Sequence, residues 1–163
     1  MQDEAWVTDR ADGRAVLTNA ADPDTLGRIV AGWPMPTDMP VGVTRLWERA
    51  CDQFRSGWVS YENFTDAVRT GFEVVDAALR NHVDDLLVDG KRRTIGPLVE
   101  LANDRGRLTS GQYEWLSVYA RRFRNRLTHA DGAEPLVLSP GMAAEMMEGI
   151  ARFVAELRSG DSS

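Results

Sequence analysis

Apolar residues recur at intervals of three and four positions through most of the chain after Val43, which is the spacing of helices that bury one face. The segment "VTRLWERACDQFRSGW" predicts a first such helix, ending near Gly57. A longer helix is predicted to follow, with Ser60 as its cap and Gly90 as its end. The apolar face of this longer helix comprises Phe64, Val68, Phe72, Val75, Leu79, Val83 and Leu86.

Start and stop residues delimit three further helices. Pro97 and Gly106 bound a short helix within "TIGPLVELANDRG". Thr109 and Gln112 form a capping box, which predicts a helix that begins just after the threonine and runs into "RFRNRLTHAD". The last helix is marked by Ser139 and Pro140 at its start and by an apolar stripe of Met146, Ile150, Phe153 and Leu157.

The first forty residues have a different pattern, because prolines and glycines interrupt them repeatedly. One short helix fits there, capped by Asp22 or Asp24 and ending at Gly32. We expect Trp6 and Trp33 to anchor this arm to the body of the protein.

Helices joined by short connections, with no convincing strand, predict an all-α fold. We expect an irregular Pro/Gly-rich N-terminal arm over residues 1–42, a four- to five-helix bundle over residues 43–158 and a frayed tail over residues 159–163. With 163 residues, of which 43% are hydrophobic, the chain can form one such core but is too short for a second full domain.

Composition adds limits on location and chemistry. No run of about 18 apolar residues is present, and the first residues lack a basic head followed by an apolar stretch, which favours a cytoplasmic protein without a membrane span. The single cysteine, Cys51, is expected to be a buried helix residue. The net charge of −6 argues against a protein that binds nucleic acid over its whole surface.

The acidic average conceals one basic segment. Between Glu114 and Asp131 the chain has no acidic residue, whereas four arginines fall within six positions. These arginines are Arg121, Arg122, Arg124 and Arg126. Such a local concentration of positive charge could contact RNA phosphates on an otherwise acidic protein.

On a regular helix, this segment divides into two stripes. The stripe predicted to face the core consists of Leu116, Tyr119, Ala120, Phe123, Leu127 and Ala130. The stripe that suits a cleft or a dimer seam consists of Trp115, Val118, Arg122, Asn125 and His129. Arg124 lies about 140° around the helix from His129. A distorted helix, a long reach or a second subunit is therefore needed to bring both onto one ligand.

The hexapeptide "RNRLTH", Arg124 to His129, resembles the Arg-polar-x-x-x-His signature of the HEPN superfamily, the higher eukaryote and prokaryote nucleotide-binding domains. The order of elements around it is also similar: a long helix containing "GFEVVDAALR", a short helix, a helix that ends in the motif and a closing helix. The resemblance covers residues 43–158 and leaves the arm unassigned.

The resemblance implies a helical bundle that dimerises and brings two copies of the motif together across a cleft. Such proteins are often metal-independent endoribonucleases of toxin–antitoxin or antiphage systems, with RNA as substrate and an antitoxin or another defence protein as partner. It implies catalytic roles for Arg124, Asn125 and His129, without a metal or cofactor. The residues expected to support the site are Arg122, Arg126, Thr128 and Glu73.

These residue types suit the chemistry. Cleavage of RNA by its own 2′-hydroxyl needs a base, an acid and positive donors at the phosphate. Histidine transfers protons near neutral pH, and arginine binds phosphate in a bidentate manner. One chain has a single histidine in this region, so two copies of His129 in a dimer would supply both proton-transfer groups.

The long helix also carries a strip of charged residues beside its apolar face, namely Arg69, Glu73, Asp76 and Arg80. The HEPN resemblance puts an acidic residue near this point, and Glu73 would orient Arg124. Solvated ion pairs that flank the apolar face are the alternative interpretation of the strip. A metal at His82 is not expected, because the neighbouring Asp84 and Asp85 point apart on a helix.

A competing hypothesis gives the motif no catalytic role. In this hypothesis the chain is a HEPN-like module that binds a nucleotide, RNA or a protein partner, and the acidic net charge favours it. His129 is then a histidine favoured at the C-terminus of a helix by the helix dipole.

Overall fold

The computed structural model describes residues 12–17, 22–83, 87–88, 91–92, 94–120, 127 and 136–159. This part of the chain is all-α, as predicted, and the apolar faces of its helices pack around one core. Among the described residues, no helix combines the length and the apolar character that crossing a lipid bilayer requires.

The part of the arm that the structure describes contains two short helices, of which the sequence pattern predicts one. α1 spans Gly13–Leu17 and α2 spans Pro23–Ala31. Asp22 caps α2 as expected, accepting hydrogen bonds of 3.0 and 3.2 Å from two backbone N–H groups of the first turn, and Gly32 ends the helix. α1 escapes prediction because its five residues are too few to show a period.

α3 (Val41–Arg55) and α4 (Glu62–His82) form an antiparallel hairpin joined by a short 3-10 turn. Aromatic rings fill its closed end, where Phe54 and Phe64 meet edge to face with 5.2 Å between ring centroids. Trp33 of the arm packs on Phe54 at 5.0 Å and is 9% exposed, so it anchors the arm as predicted. Trp6 lies outside the described residues.

The start of α4 differs from the prediction. The helix begins after Tyr61, and Ser60 provides no side-chain cap. Instead, Asp12 of the arm accepts the backbone N–H of Tyr61 at 3.1 Å. A residue distant in sequence therefore supplies the cap that the local sequence lacks.

The end of α4 also differs from the prediction. The helix ends at His82 and not near Gly90, because Val83 turns to an extended conformation (φ −116°, ψ 125°) while its side chain stays buried. Two-residue strands, β1 (Leu87–Val88) and β2 (Lys91–Arg92), then pair antiparallel. This hairpin is too short to change the fold class.

Of the short helices that follow, the first begins two residues before Pro97, and the second begins where the sequence predicts. α5 spans Ile95–Asp104, and α6 spans Ser110–Glu114. The capping box is complete: Gln112 N–H donates to Thr109 Oγ1 at 3.2 Å, and Thr109 N–H donates to Gln112 Oε1 at 2.8 Å. Gly106 follows α5 with a φ of 66°, a conformation that glycine adopts at little cost.

The helix after the capping box does not continue as a regular α-helix to the motif, contrary to the prediction. Trp115–Ala120 is a π-helix, whose i to i+5 hydrogen bonds give a wider turn. This winding accompanies the inward packing of two consecutive side chains: Trp115 stacks on Phe153 with 5.5 Å between centroids, and Leu116 is 4% exposed. A constant rotation of 100° per residue therefore does not hold between Ser110 and the motif.

α7 (Pro140–Ser159) closes the bundle and lies parallel to α4. Leu138, just before α7, donates its N–H to Thr65 Oγ1 near the start of α4 at 2.9 Å. Farther along, a Cβ at Gly71 of α4 would lie 2.6 Å from Ile150 Cδ1, so the absence of a side chain there lets the helices approach closely.

The predicted start and apolar stripe of α7 are largely confirmed. Ser139 Oγ accepts a hydrogen bond of 3.2 Å from the N–H of Met142. The predicted stripe residues that are buried are Ile150, Phe153 and Leu157. Met146 is only half-buried, and its neighbour Met147 is the fully buried methionine.

Candidate functional site

The structure describes the predicted motif at one position. Leu127 is helical and 7% exposed, in agreement with its place in the predicted core stripe. The predicted site residues that lie outside the described residues are Arg122, Arg124, Asn125, Arg126, Thr128 and His129. Of the predicted motif and site residues, the structure therefore describes Leu127 of the motif and Glu73 of α4.

Arg69 of α4 contacts the motif directly. Its Nε and Nη2 donate hydrogen bonds to the carbonyl oxygen of Leu127 at 3.3 and 3.2 Å. Its Nη1 forms an ion pair with Asp66, one turn earlier on the same helix. The guanidinium is thus held on one edge by a carboxylate, while its other edge binds the motif backbone.

Thr65 of α4 binds the backbone just before α7. Its side chain is buried, and its Oγ1 accepts the N–H of Leu138. The two backbone groups at Leu127 and Leu138 are therefore bound by side chains four residues apart on α4, which is about 6 Å along the helix axis. Arg69 and Thr65 thus bind the backbone on either side of residues 128–137, the part of the sequence that contains His129.

Glu73 follows Arg69 by one turn on α4. Its side chain is exposed and forms no ion pair with another described residue. Asp76 and Arg80 differ from it, because Arg80 Nε and Nη2 donate to the two carboxylate oxygens of Asp76 at 3.0 and 2.9 Å. Among the described residues, the ion-pair interpretation of the charged strip thus holds for Asp76 and Arg80.

Trp115 and Val118 were predicted to share one helix stripe with His129. The structure gives Trp115 and Val118 different surroundings. The indole of Trp115 stacks on Phe153 and covers Gly149, where a Cβ would lie 3.5 Å from the ring. Trp115 therefore packs within its own chain. Val118 is 43% exposed and stays available at the surface.

Cys51 and His82, the other side chains that could carry chemistry, form no candidate site with the described residues around them. Cys51 is buried, and burial raises the pKa of its thiol to about 12, so it holds almost no thiolate at neutral pH. His82 is half-buried at the end of α4 beside a small cavity lined by Met39 and Val154, while Asp84 and Asp85 lie outside the described residues. In the part of the chain that the structure describes, no three metal-ligating side chains come together.

A second concave surface lies between the arm and α3. It encloses about 340 Å³ and is lined by Met35, Pro36, Thr37, Met39, Val43, Thr44, Trp47 and Glu48. The arm is fixed there by an ion pair of 2.6 Å between Arg158 of α7 and Asp38, whose pKa is lowered by the hydrogen bond from the guanidinium. This groove is far along the chain from the motif and brings none of the predicted site residues together.

Sequence reasoning identified Arg69 only as part of a charged strip and missed Thr65 and Asp66. The available signal was their spacing, since Thr65, Arg69 and Glu73 follow one another every four residues along one side of α4. Comparison of the chain with protein-family models, with curated proteins and with solved structures gave no match.

Proposed function

We propose that the protein is a metal-independent endoribonuclease of the HEPN type, which cleaves RNA by attack of a 2′-hydroxyl on the adjacent phosphate. The observation that supports this proposal most directly is the pair of hydrogen bonds from Arg69 to the Leu127 carbonyl, inside "RNRLTH". They hold the backbone of Leu127 beside α4, one turn from the exposed Glu73. Glu73 is thereby available to orient Arg124.

The proposed mechanism gives each motif residue one role. His129 takes the proton of the 2′-hydroxyl in one copy and gives a proton to the leaving 5′-oxygen in the other. Arg124 donates hydrogen bonds to the phosphate as negative charge develops on it, and Asn125 supports this contact. The residues that would add positive charge and hydrogen bonds around the phosphate are Arg122, Arg126 and Thr128.

The mechanism requires a dimer, because one chain has a single histidine in the motif region. We propose a homodimer whose two motif copies form one composite site. A ribonuclease of this kind would act in the cytoplasm as a toxin or an antiphage effector, restrained by an antitoxin or another defence protein.

The direct test is RNA cleavage by the purified protein in the presence of a chelator. We expect the wild type to cut RNA, and we expect Arg124→Ala and His129→Ala to lower the rate at least about 100-fold, since each removes a group acting in the transition state. His82→Ala is the matched control, because it removes the other histidine of the chain without touching the motif. RNA left intact by the wild type, or equal cleavage by both motif variants, would contradict the proposal.

The second candidate is a non-catalytic HEPN-like module, which the net charge of −6 favours. Expression in a bacterial host separates the two candidates. A ribonuclease toxin slows growth, and His129→Ala relieves the effect. A binding module leaves growth unchanged with either sequence.

A further inference from the structure

We infer that Arg69 is a positioning residue of the candidate site: by binding the Leu127 carbonyl it fixes the orientation of the motif backbone at that residue, with Asp66 as its ion-pair partner. The contacts of Arg69, Asp66 and Thr65 are features of the fold, whether or not the protein cleaves RNA. The expected effect of Arg69 on catalysis, in contrast, rests on the proposed function.

The Leu127 carbonyl oxygen accepts hydrogen bonds from a side chain of another helix. Arg69 of α4 directs two N–H groups at this one oxygen. A guanidinium suits this role because its planar donors are fixed relative to one another.

Leu127 is attached to the rest of the protein on two sides. Its side chain is buried in the core, and its carbonyl is bound to Arg69. Together, the two contacts restrict the orientation of the Leu127 backbone more than the buried side chain does alone. Arg124 lies three residues before this fixed point and His129 two residues after it, so both are close to it in the chain.

The ion pair of Arg69 contributes little to stability. Arg69 is 43% exposed and its partner Asp66 is 38% exposed, and ion pairs between exposed side chains add little to the free energy of unfolding. The Leu127 side chain, in contrast, is buried in the core. Replacing Arg69 should therefore change where the motif lies more than it changes how stable the protein is.

The chain contains a well-matched control for Arg69. Arg55 also pairs with an aspartate three residues earlier, Asp52, at 3.0 Å, and its side chain is 47% exposed. Arg55→Met thus removes a similar arginine and a similar ion pair from a helix surface without touching Leu127. Any effect specific to Arg69→Met reports on the bond to the motif.

The test is proton NMR of the histidine ring C–H signals in full-length wild type, Arg69→Met and Arg55→Met. The chain has only two histidines, so His129→Ala assigns the signals and His82 is an internal reference. We expect Arg69→Met to shift the His129 signal and its titration midpoint while His82 stays unchanged, and Arg55→Met to shift neither. An unchanged His129 signal in Arg69→Met, or an equal shift in Arg55→Met, would overturn the inference.

Cleavage kinetics form the second part of the test. We expect Arg69→Met to lower kcat about 10- to 100-fold with little change in KM, because a displacement near 1 Å has effects of this size. Arg69→Lys keeps the charge and one donor, and should recover part of both kcat and the native His129 signal. It also tests the inference if the methionine variant fails to fold.

The two proposals fail in different ways. A wild type that does not cut RNA refutes the ribonuclease, and the His129 signal still decides whether Arg69 positions the motif. A wild type that cuts RNA, with Arg69→Met equal to it in kcat and in the His129 signal, refutes the positioning role alone.

Discussion

At Gly57, the turn between α3 and α4 passes directly over the ring of Phe64. A Cβ at this position would lie 2.3 Å from Phe64 Cζ, well inside van der Waals contact. The ring has no room to retreat, because it is fully buried and packs edge to face on Phe54 and Tyr61. Glycine is therefore required here by packing.

The first prediction follows from this contact. Gly57→Ala should lower the free energy of unfolding by about 1–3 kcal/mol, the usual cost of overfilling a core. Gly27→Ala is the control, since it lies within α2 with nothing within 4 Å of the added Cβ, and alanine there should stabilise by about 0.5–1 kcal/mol. Denaturant unfolding of both variants measures the difference. Similar effects of the two substitutions would show that the turn can move away from Phe64.

Single residues were predictable where their partners are close in sequence. Asp22, Thr109 and Ser139 each cap a helix through a backbone group two or three positions away, so the short sequence pattern contains both partners. Thr65 and Arg69 bind backbone groups 73 and 58 residues away, and no local pattern contains that information. The contacts that Thr65 and Arg69 make with Leu138 and Leu127 were missed for this reason.

Among the elements, α4 depends on the arm for its first turn. Asp12 accepts the N–H of Tyr61, and Arg14 forms ion pairs with Asp12 at 2.9 Å and with Glu62 at 2.6 Å. The Arg14 guanidinium also lies 4.9 Å from the centre of the Tyr61 ring. The side-chain hydrogen bond from Arg14, followed by backbone N–H donors, lowers the pKa of the Asp12 carboxyl well below its usual value of 3.8.

The second prediction is a pH-dependent effect of Asp12→Asn on thermal stability. Because the folded-state pKa is below the unfolded value, the stabilisation by Asp12 is complete above about pH 4 and is lost as the pH falls toward the folded-state pKa. Asp12→Asn should therefore lower Tm at pH 7, and the difference from wild type should shrink below pH 4. Thermal unfolding followed by circular dichroism at pH 7 and at pH 3 measures the Tm difference between Asp12→Asn and wild type.

Asp52→Asn is the control for Asp12→Asn. It removes an exposed ion pair with Arg55 that caps no helix, so its effect on Tm should be small at pH 7. A Tm difference for Asp12→Asn that is the same at pH 7 and at pH 3 would show that its carboxylate charge does not stabilise the start of α4.

Element boundaries were predictable where the chain marks them chemically and not where packing decides them. The apolar spacing of α4 continues through Val83, yet the helix ends at His82, because an extended Val83 buries its side chain equally well. The π-helix at Trp115–Ala120 is also absent from the pattern, and it accompanies the long-range packing of Trp115 on Phe153. Helical periodicity therefore predicted the longer helices but misjudged the rotation leading into the motif.

For the whole molecule, local signals sufficed to predict an all-α fold, because almost every described segment has its own helical period or cap. They did not predict that α7 lies parallel to α4 or that Asp38 of the arm pairs with Arg158 of α7. These arrangements depend on contacts between distant parts of the chain. The candidate site itself came from the resemblance of one short motif and not from the periodicity.

The last prediction concerns the assembly that the proposed mechanism needs. If one site uses His129 from both chains, a mixed dimer of wild type and His129→Ala is inactive. When equal amounts of the two proteins are mixed and allowed to exchange subunits, activity per total protein should fall to about one quarter of the wild-type value, which is the fraction of dimers with two intact copies.

His82→Ala is the matched partner for the control mixture, because it leaves both copies of His129 intact and should keep full activity. Sedimentation at the assay concentration shows whether dimers are present. A fall only to about one half would mean that each chain acts alone, since half of the chains would still carry His129. A sedimentation mass of one chain would exclude the composite site, and the single histidine of each motif would then have to take both proton-transfer roles in turn.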